Sequence, residues 1–373
     1  MASLHLLITP LLASALISFL ASPLVIWLAW RTGLVDNPKT HRHPKVTHTH
    51  PIPRAGGLAI FLSLLATSLI FLPHDRHTTG ILAGATLLTL LGLIDDKLLA
   101  KNIDLNPYLR LIASFLVAAL PIASGIGIAF IHHPLTGQVI DLSWPRFTFY
   151  FASTPHTLWL VSDLLALGWI AFLLNAVSMG AKGIDGQLPG ITVIAALTIA
   201  FLSLKFSADI TQWPVIILAG ITAGSFLGFL PWNFYPQKIM PGWSGGTLAG
   251  YLLAVLSLLA TAKVGALLVV LGLPLADTTW AILRRLKSGK SPVWGDRLHL
   301  HHRLLDAGLS RRQVVAIYWL FTALLGILAL QLNSKNKFYT IIGVILLVGG
   351  ILWWLKQLST SSSPSAPAKS SKT

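Results

Sequence analysis

The 373-residue chain is 54% hydrophobic and only 10% charged, with a mean hydropathy of +0.73. A soluble domain of this length carries about a quarter charged residues, so the composition excludes a soluble globular fold and predicts an all-α, polytopic integral membrane protein. The net charge is +15, from twenty-seven Lys and Arg against twelve acidic residues that are all Asp, and the absence of Cys excludes disulfides and any thiolate chemistry.

Apolar runs predict eleven transmembrane helices, at roughly 3–30, 55–72, 80–96, 108–131, 157–176, 190–205, 214–231, 246–261, 263–284, 313–332 and 337–356. The first lacks a basic leader and stays apolar past signal-peptide length, so it reads as a retained helix long enough to tilt. Residues 1–356 then form a single transmembrane domain, and the Ser/Pro/Ala-rich stretch 357–373 reads as a disordered tail that cannot bury a core. Twenty-one of the basic residues, among them Arg31, Arg54, Lys97, Lys182, Lys238 and the run from Arg284 to Arg312, fall in the odd-numbered connections and the tail. Six fall on the other side, so the positive-inside rule places the N-terminus outside and the C-terminus in the cytoplasm. The outer connections contain one long segment, residues 131–157, which alternates like a hairpin about Thr136–Gly137.

The polar stretches sort to the cytoplasmic side: "HPIPRAGG" (50–57), "LIDDK" (93–97), "NAVSMGAKGIDGQLPG" (175–190), "WNFYPQKIMPGWSGG" (232–246) and "WGDRLHLHHRLLDAGLS" (294–310). Asp95 and Asp96 end an apolar run. Neighbours on a helix point about 100° apart, so the two carboxylates cannot both address one atom, but one can face a metal and the other an adjacent group. Mg²⁺ is commonly held by one or two protein carboxylates plus substrate phosphates, and the helix dipole disfavours two acids merely marking a C-terminus. His299, His301 and His302 have spacing open to zinc, yet they lie among Arg284, Arg285, Lys287, Arg297 and Arg303. Cationic surroundings repel a metal and attract an anion such as a diphosphate, so anion binding is favoured. Asp277 lies seven residues before Arg284, on roughly the same helix face, where it is either functional or half of a structural ion pair. The glycine-rich turns around Gly183–Gly190 and in "PGWSGG" allow close backbone approach to a ligand, each a weak signal alone.

In order, "PRAGG", the Asp pair, "NAVS…GIDG", the "NFYPQKIMPGWSGG" turn and "DRLHLHHRLLDAGLS" resemble the polyprenyl-phosphate N-acetylhexosamine-1-phosphate transferases, over about residues 31–330. The spelling of the His segment resembles the GlcNAc-1-phosphate branch more than the muramoyl-pentapeptide branch. The resemblance implies an eleven-helix, N-out enzyme in the bacterial inner (plasma) membrane, moving a sugar 1-phosphate from a UDP-N-acetylhexosamine to polyprenyl phosphate and releasing UMP. It implies Mg²⁺, with Mn²⁺ as the alternative metal, no nucleic-acid partner, and a homodimer as the candidate assembly. It implies Asp95, Asp96 and Asp185 as catalytic carboxylates, the first two at the metal. Substrate contacts are implied for Asn175 and Lys238, phosphate contact or ordering of the first loop for Arg54, and a diphosphate clamp for His299, His301, His302 and Arg303; Lys182, outside the family pattern, is itself expected to bring a positive charge to the diphosphate.

Two positions depart from the family pattern. Where N-x-x-N-x-x-D-G-x-D-G is usual, this chain is one residue longer and has Lys182 in place of the first Asp. Where G-D-x-G-S supplies a metal-binding Asp, it has Trp243. Trp cannot ligate a metal and Lys serves as a point charge for phosphate, so a weaker Mg²⁺ dependence is expected. Besides a divergent transferase, the sequence fits a non-catalytic binder of lipid phosphate or nucleotide sugar. A lipid-linked-sugar transporter would need a polar path, and the spans hold little beyond Asp163 and Asp277 to line one.

Overall fold

The computed structural model describes residues 3–39, 48–151, 154–259, 264–293 and 297–361. Among the described residues thirteen α-helices follow one another: α1 (His5–Thr32), α2 (Gly56–Phe71), α3 (Arg76–Ala100), α4 (Pro107–Ala123), α5 (Leu160–Gly180), α6 (Gln187–Leu204), α7 (Trp213–Asn233), α8 (Gly242–Leu258), α9 (Val264–Val270), α10 (Gly272–Lys287), α11 (Leu300–Asp306), α12 (Arg311–Gln331) and α13 (Ser334–Ser361). Seven of these are long and apolar enough to cross a bilayer, the bent pair α9–α10 makes an eighth, and α2, α4 and α8 are shorter apolar helices. The protein is an all-α polytopic membrane protein, and each of the eleven apolar runs in the sequence falls on one of these helices or on the bent pair.

The centre of the bundle is α8, every residue of which is buried. It is apolar all round, so it is covered all round, by α2, α3, α5 and α6. Close approach depends on small residues, because lipid gives helices no hydrophobic reason to associate. A side chain on Gly57 of α2 or Gly92 of α3 would run into Ser244 of α8, and one on Gly250 would meet the α5 backbone at Leu173. The same device joins α1 to α7, where Gly220, Gly224 and Gly228 lie against the backbone at Leu7, Leu11 and Ala15. On the outer side of α1, Leu12, Leu16, Leu20 and Leu24 form an exposed i, i+4 stripe that faces lipid.

Several boundaries differ from the sequence reading. The run 108–131 stops being helix at Ala123, because Gly125 takes a left-handed φ of 98° and the chain then extends into a strand, Phe130–His132. That strand pairs with Val139–Asp141 about Thr136–Gly137, the expected hairpin, and a second antiparallel pair joins Arg146–Phe151 to Thr154–Trp159. The run 263–284 is two helices meeting at 81° near Leu271. Pro274, which has no N–H to give to the preceding turn, sits just past the bend. The run 80–96 continues to Ala100, so the Asp pair lies a turn before the helix end. The helix after 334 continues to Ser361, into the stretch expected to be tail; the remaining tail, 362–373, lies outside the described residues, as do Arg42, Lys45 and the Trp294–Asp296 part of the His segment.

Because Gly57 abuts the Ser244 turn, Gly57→Val should overpack the α2–α8 contact and cost about 1–3 kcal/mol. A thermal melt of the purified protein in detergent checks this, and an unchanged midpoint would contradict the packing.

Candidate active site at the loop ends of α3, α5, α8 and α10

The site begins with a short two-stranded pairing of Val35–Asp36 with Ile52–Pro53, which brings Arg54 back beside α3. Arg54 Nη1 donates to Asp36 Oδ2 at 2.7 Å and its Nε to Asp96 Oδ1 at 3.2 Å. The same Asp96 oxygen accepts the Trp243 backbone N–H at 3.1 Å, in the first turn of α8. Asp96 sits near the C-terminus of its own helix but at the N-terminus of another, where the dipole favours it. Its other oxygen, Oδ2, is buried with no hydrogen-bond partner among the described residues. Gly242 makes this approach feasible: its φ is +70°, and a Cβ there would strike both Asp96 Oδ2 and the Arg54 carbonyl.

Asp95 points elsewhere, as the 100° offset requires. Its Oδ1 accepts from Arg110 Nε of α4 at 2.7 Å, and Arg110 also holds the exposed Asp104. The sequence reading missed Arg110 because nothing local in "NPYLR" marks it; its partner is fifteen residues away on another helix. Lys182 follows α5 and gives a hydrogen bond to the Gly242 carbonyl at 3.1 Å. Burial above all, with the nearby charges of Arg54 and Arg110, lowers its ammonium to a pKa of about 8, against the opposing pull of Asp96 and Asp95.

The second half of the site is the His segment, and its anchor is Asp277. His299 Nδ1 lies 2.8 Å from Asp277 Oδ2, and the Leu300 N–H donates to Oδ1 at 2.8 Å. The Asp277–Arg284 pairing open to the sequence is therefore replaced by one across twenty-two residues. Arg284 instead donates to the Leu298 carbonyl, while the buried Arg285 donates to the Pro292 carbonyl and meets His299 Nε2 at 3.5 Å. The His301 ring stacks on His299 at 5.5 Å and abuts His302 at 4.4 Å. It also fills the space a side chain on Gly183 would need, which joins the His segment to the loop bearing Lys182 and Asp185. Asp185 accepts from Arg311 Nη1 of α12 at 3.3 Å; burial raises its pKa and Arg311 opposes the rise. The Gly186 N–H donates to Asn233, tying this loop to the end of α7.

Three implied substrate contacts are placed differently. Arg303 gives its Nη1 hydrogen to the Leu352 carbonyl of α13, tying the His segment to the C-terminal helix. Asn175 spends its amide on Ser114 of α4 and on the Ala171 carbonyl of its own helix. Lys238 stacks over the Trp232 ring at 5.0 Å and lines a cavity of about 420 Å³ with Trp30, His50 and Pro53. Neither intramembrane acid marks a path: Asp163 accepts the Trp159 N–H at the start of α5, and Asp277 is committed to the His segment.

The donor set does not fit a divalent metal. Asp95 and Asp96 turn to different partners and each already carries an arginine, and among the described residues no three His or Asp side chains are grouped to hold an ion. The acidic position in the α8 turn is Trp243, and the loop facing that turn contributes an ammonium.

A profile of glycosyl transferase family 4 matches residues 78–261. The decaprenyl-phosphate N-acetylglucosaminephosphotransferase of Mycobacterium leprae is 30% identical over 374 residues, 91% of this chain and 87% of that protein. The chain belongs to this family. A probable undecaprenyl-phosphate N-acetylglucosaminyl 1-phosphate transferase of Bacillus subtilis is 29% identical over 350 residues, covering 92% of this chain and 89% of its own. A phospho-N-acetylmuramoyl-pentapeptide-transferase of Caldicellulosiruptor bescii is also similar, 29% identical over 338 residues, 87% of this chain and 97% of its own. In this glycosyl transferase the profile covers the Asp pair, the Lys182 loop and the α8 turn, while the His segment lies beyond it.

Removing the Asp277 carboxylate leaves His299 and the Leu300 N–H without their buried acceptor. Asp277→Ala should therefore cost about 1–3 kcal/mol of stability, read as a lower melting temperature. A melt indistinguishable from wild type would show that Asp277 does not hold the segment.

Proposed function

We propose that the protein transfers N-acetylglucosamine 1-phosphate from UDP-GlcNAc to a polyprenyl phosphate, undecaprenyl phosphate in a bacterial inner membrane, at its cytoplasmic face. The observation that carries this reading is the convergence of four sequence-distant polar stretches on one site with Arg54, Arg110, Lys182 and Arg285 around it. The names of the relatives, matched over nearly their whole length, supply the substrate class. Eleven spans with the N-terminus outside and the Lys/Arg-rich loops inside would put this site where a cytosolic nucleotide sugar meets a lipid phosphate.

In the proposed reaction a phosphate oxygen of the lipid attacks the β-phosphorus of UDP-GlcNAc. The new P–O bond makes polyprenyl diphosphate-GlcNAc; the bond from the β-phosphorus to the bridging oxygen breaks, and UMP leaves with that oxygen. No proton need move if the lipid phosphate is a dianion. Such transfer is mainly positioning and charge stabilisation, which this site supports with fixed cations on one side and the Asp277-held His299–His301 pair on the other. Asp185 sits between them on the Lys182 loop. A second reading draws on the same geometry: carboxylates already occupied by arginines, with Trp243 in the α8 turn, also suit a non-catalytic nucleotide-sugar or lipid-phosphate receptor.

Purified protein given labelled UDP-GlcNAc and undecaprenyl phosphate should yield a lipid-soluble labelled product and UMP. UMP release should decline as pH rises through about 8, the pKa of Lys182, because its charged form is the one that meets phosphate and is lost on the alkaline side. The charged groups facing it are Arg54, Arg110, Asp95 and Asp96. Lys182→Arg, charged throughout, should abolish that limb. Tight nucleotide binding with no product at any pH would favour the receptor.

A further inference from the structure

The two departures from the family pattern meet in space. Lys182 Nζ donates to the carbonyl of Gly242, the residue before Trp243. Its stem lies over Gly246, where a Cβ would come within 2.8 Å of Cδ and 3.2 Å of Nζ. The turn that replaces an acidic metal ligand with Trp243 therefore also forms a slot for the lysine that replaces an acidic residue in the facing loop. Beside that slot lies Asp96 Oδ2, wholly buried and without a hydrogen-bond partner among the described residues. Among the described residues the ammonium gives one hydrogen bond, to Gly242, of the three it can donate. Arg54 and Arg110 flank it and are themselves fixed by Asp36, Asp96 and Asp95.

We propose that in this chain the Lys182 ammonium, seated in the Gly242–Gly246 turn, occupies the place of the divalent ion, so that a nucleoside diphosphate binds without metal. A phosphate oxygen entering the slot meets a cation that is covalently attached and held in place, with two guanidiniums behind it. A metal entering the same place would face that ammonium instead and find Trp243 where it needs an oxygen. The change is coupled: neither Lys182 with an acidic residue at 243 nor Trp243 with an acidic residue at 182 completes the site.

This inference rests on the nucleotide-binding part of the proposed function and not on turnover, and the test separates the two. UDP is titrated calorimetrically into the purified full-length protein, once with EDTA and once with Mg²⁺. Wild type should give the same Kd in both within about twofold, and Lys182→Gln should weaken it by about tenfold or more. The paired change Lys182→Asp with Trp243→Asp, checked for folding by its melt, should bind UDP only when Mg²⁺ is present. Wild-type affinity that falls about tenfold in EDTA would overturn the proposal, as would an unaffected Lys182→Gln or no UDP binding in either condition. Metal-free UDP binding in a protein that forms no lipid product would uphold this assignment and retire the transferase reading.

Discussion

A wholly buried carboxylate, Asp96, is the constraint around which this end of the bundle is arranged. An uncompensated charge there would cost several kcal/mol, so its partners have to be brought to it from elsewhere in the chain. Arg54 arrives on the short strand pairing after α1, and the Trp243 N–H arrives at the first turn of α8. Each partner fixes an element: the first loop is locked to α3, and the central helix is locked by its N-terminus to the same point. Gly242, Gly57 and Gly92 lack side chains where this convergence leaves no room.

From that junction the electrostatics of the site follow. Arg54 is shared between Asp36 and Asp96, Arg110 is held by Asp95, and Lys182 takes the carbonyl of Gly242. The two guanidiniums are cations placed by carboxylates, rather than carboxylates waiting for a cation. The His segment is built on the same plan at the other end of the site, with Asp277 holding His299 and the Leu300 amide from a neighbouring helix. In the proposed reaction a diphosphate enters between two preorganised, charged walls. Such preorganisation is effective in a site of low dielectric, because little reorganisation remains to be done when the anion arrives.

Much of the architecture was legible in the sequence, because a bilayer demands long apolar helices and leaves a strong hydropathy signal. The polar loops were legible for the same reason: they interrupt an otherwise apolar text and carry the basic residues. Helix ends were less so, since a left-handed Gly125 or a proline just past a bend is a local event that hydropathy averages away. The roles of single charges were least legible. Asp95 and Asp96 are adjacent in sequence yet turn to α4 and α8, and Asp277 passes over Arg284 on its own helix for His299. Arg303, written into the most family-like stretch, points to a carbonyl of α13. These pairings are tertiary, and no spacing rule within one helix foretells them. Lys182 and Trp243 were visible as departures; that they touch the same turn was not.

The central claim, that Asp96 and Arg54 act as one buried unit on which the site end of the bundle depends, is tested most directly by a double-mutant cycle. Arg54→Met, Asp96→Asn and the pair are compared by reversible unfolding in detergent. Either single change should destabilise by about 3 kcal/mol or more, as for one partner of a buried ion pair, and the pair by well under the sum, a coupling of about 2 kcal/mol. Effects that add to within about 0.5 kcal/mol would show two independent residues and contradict the account.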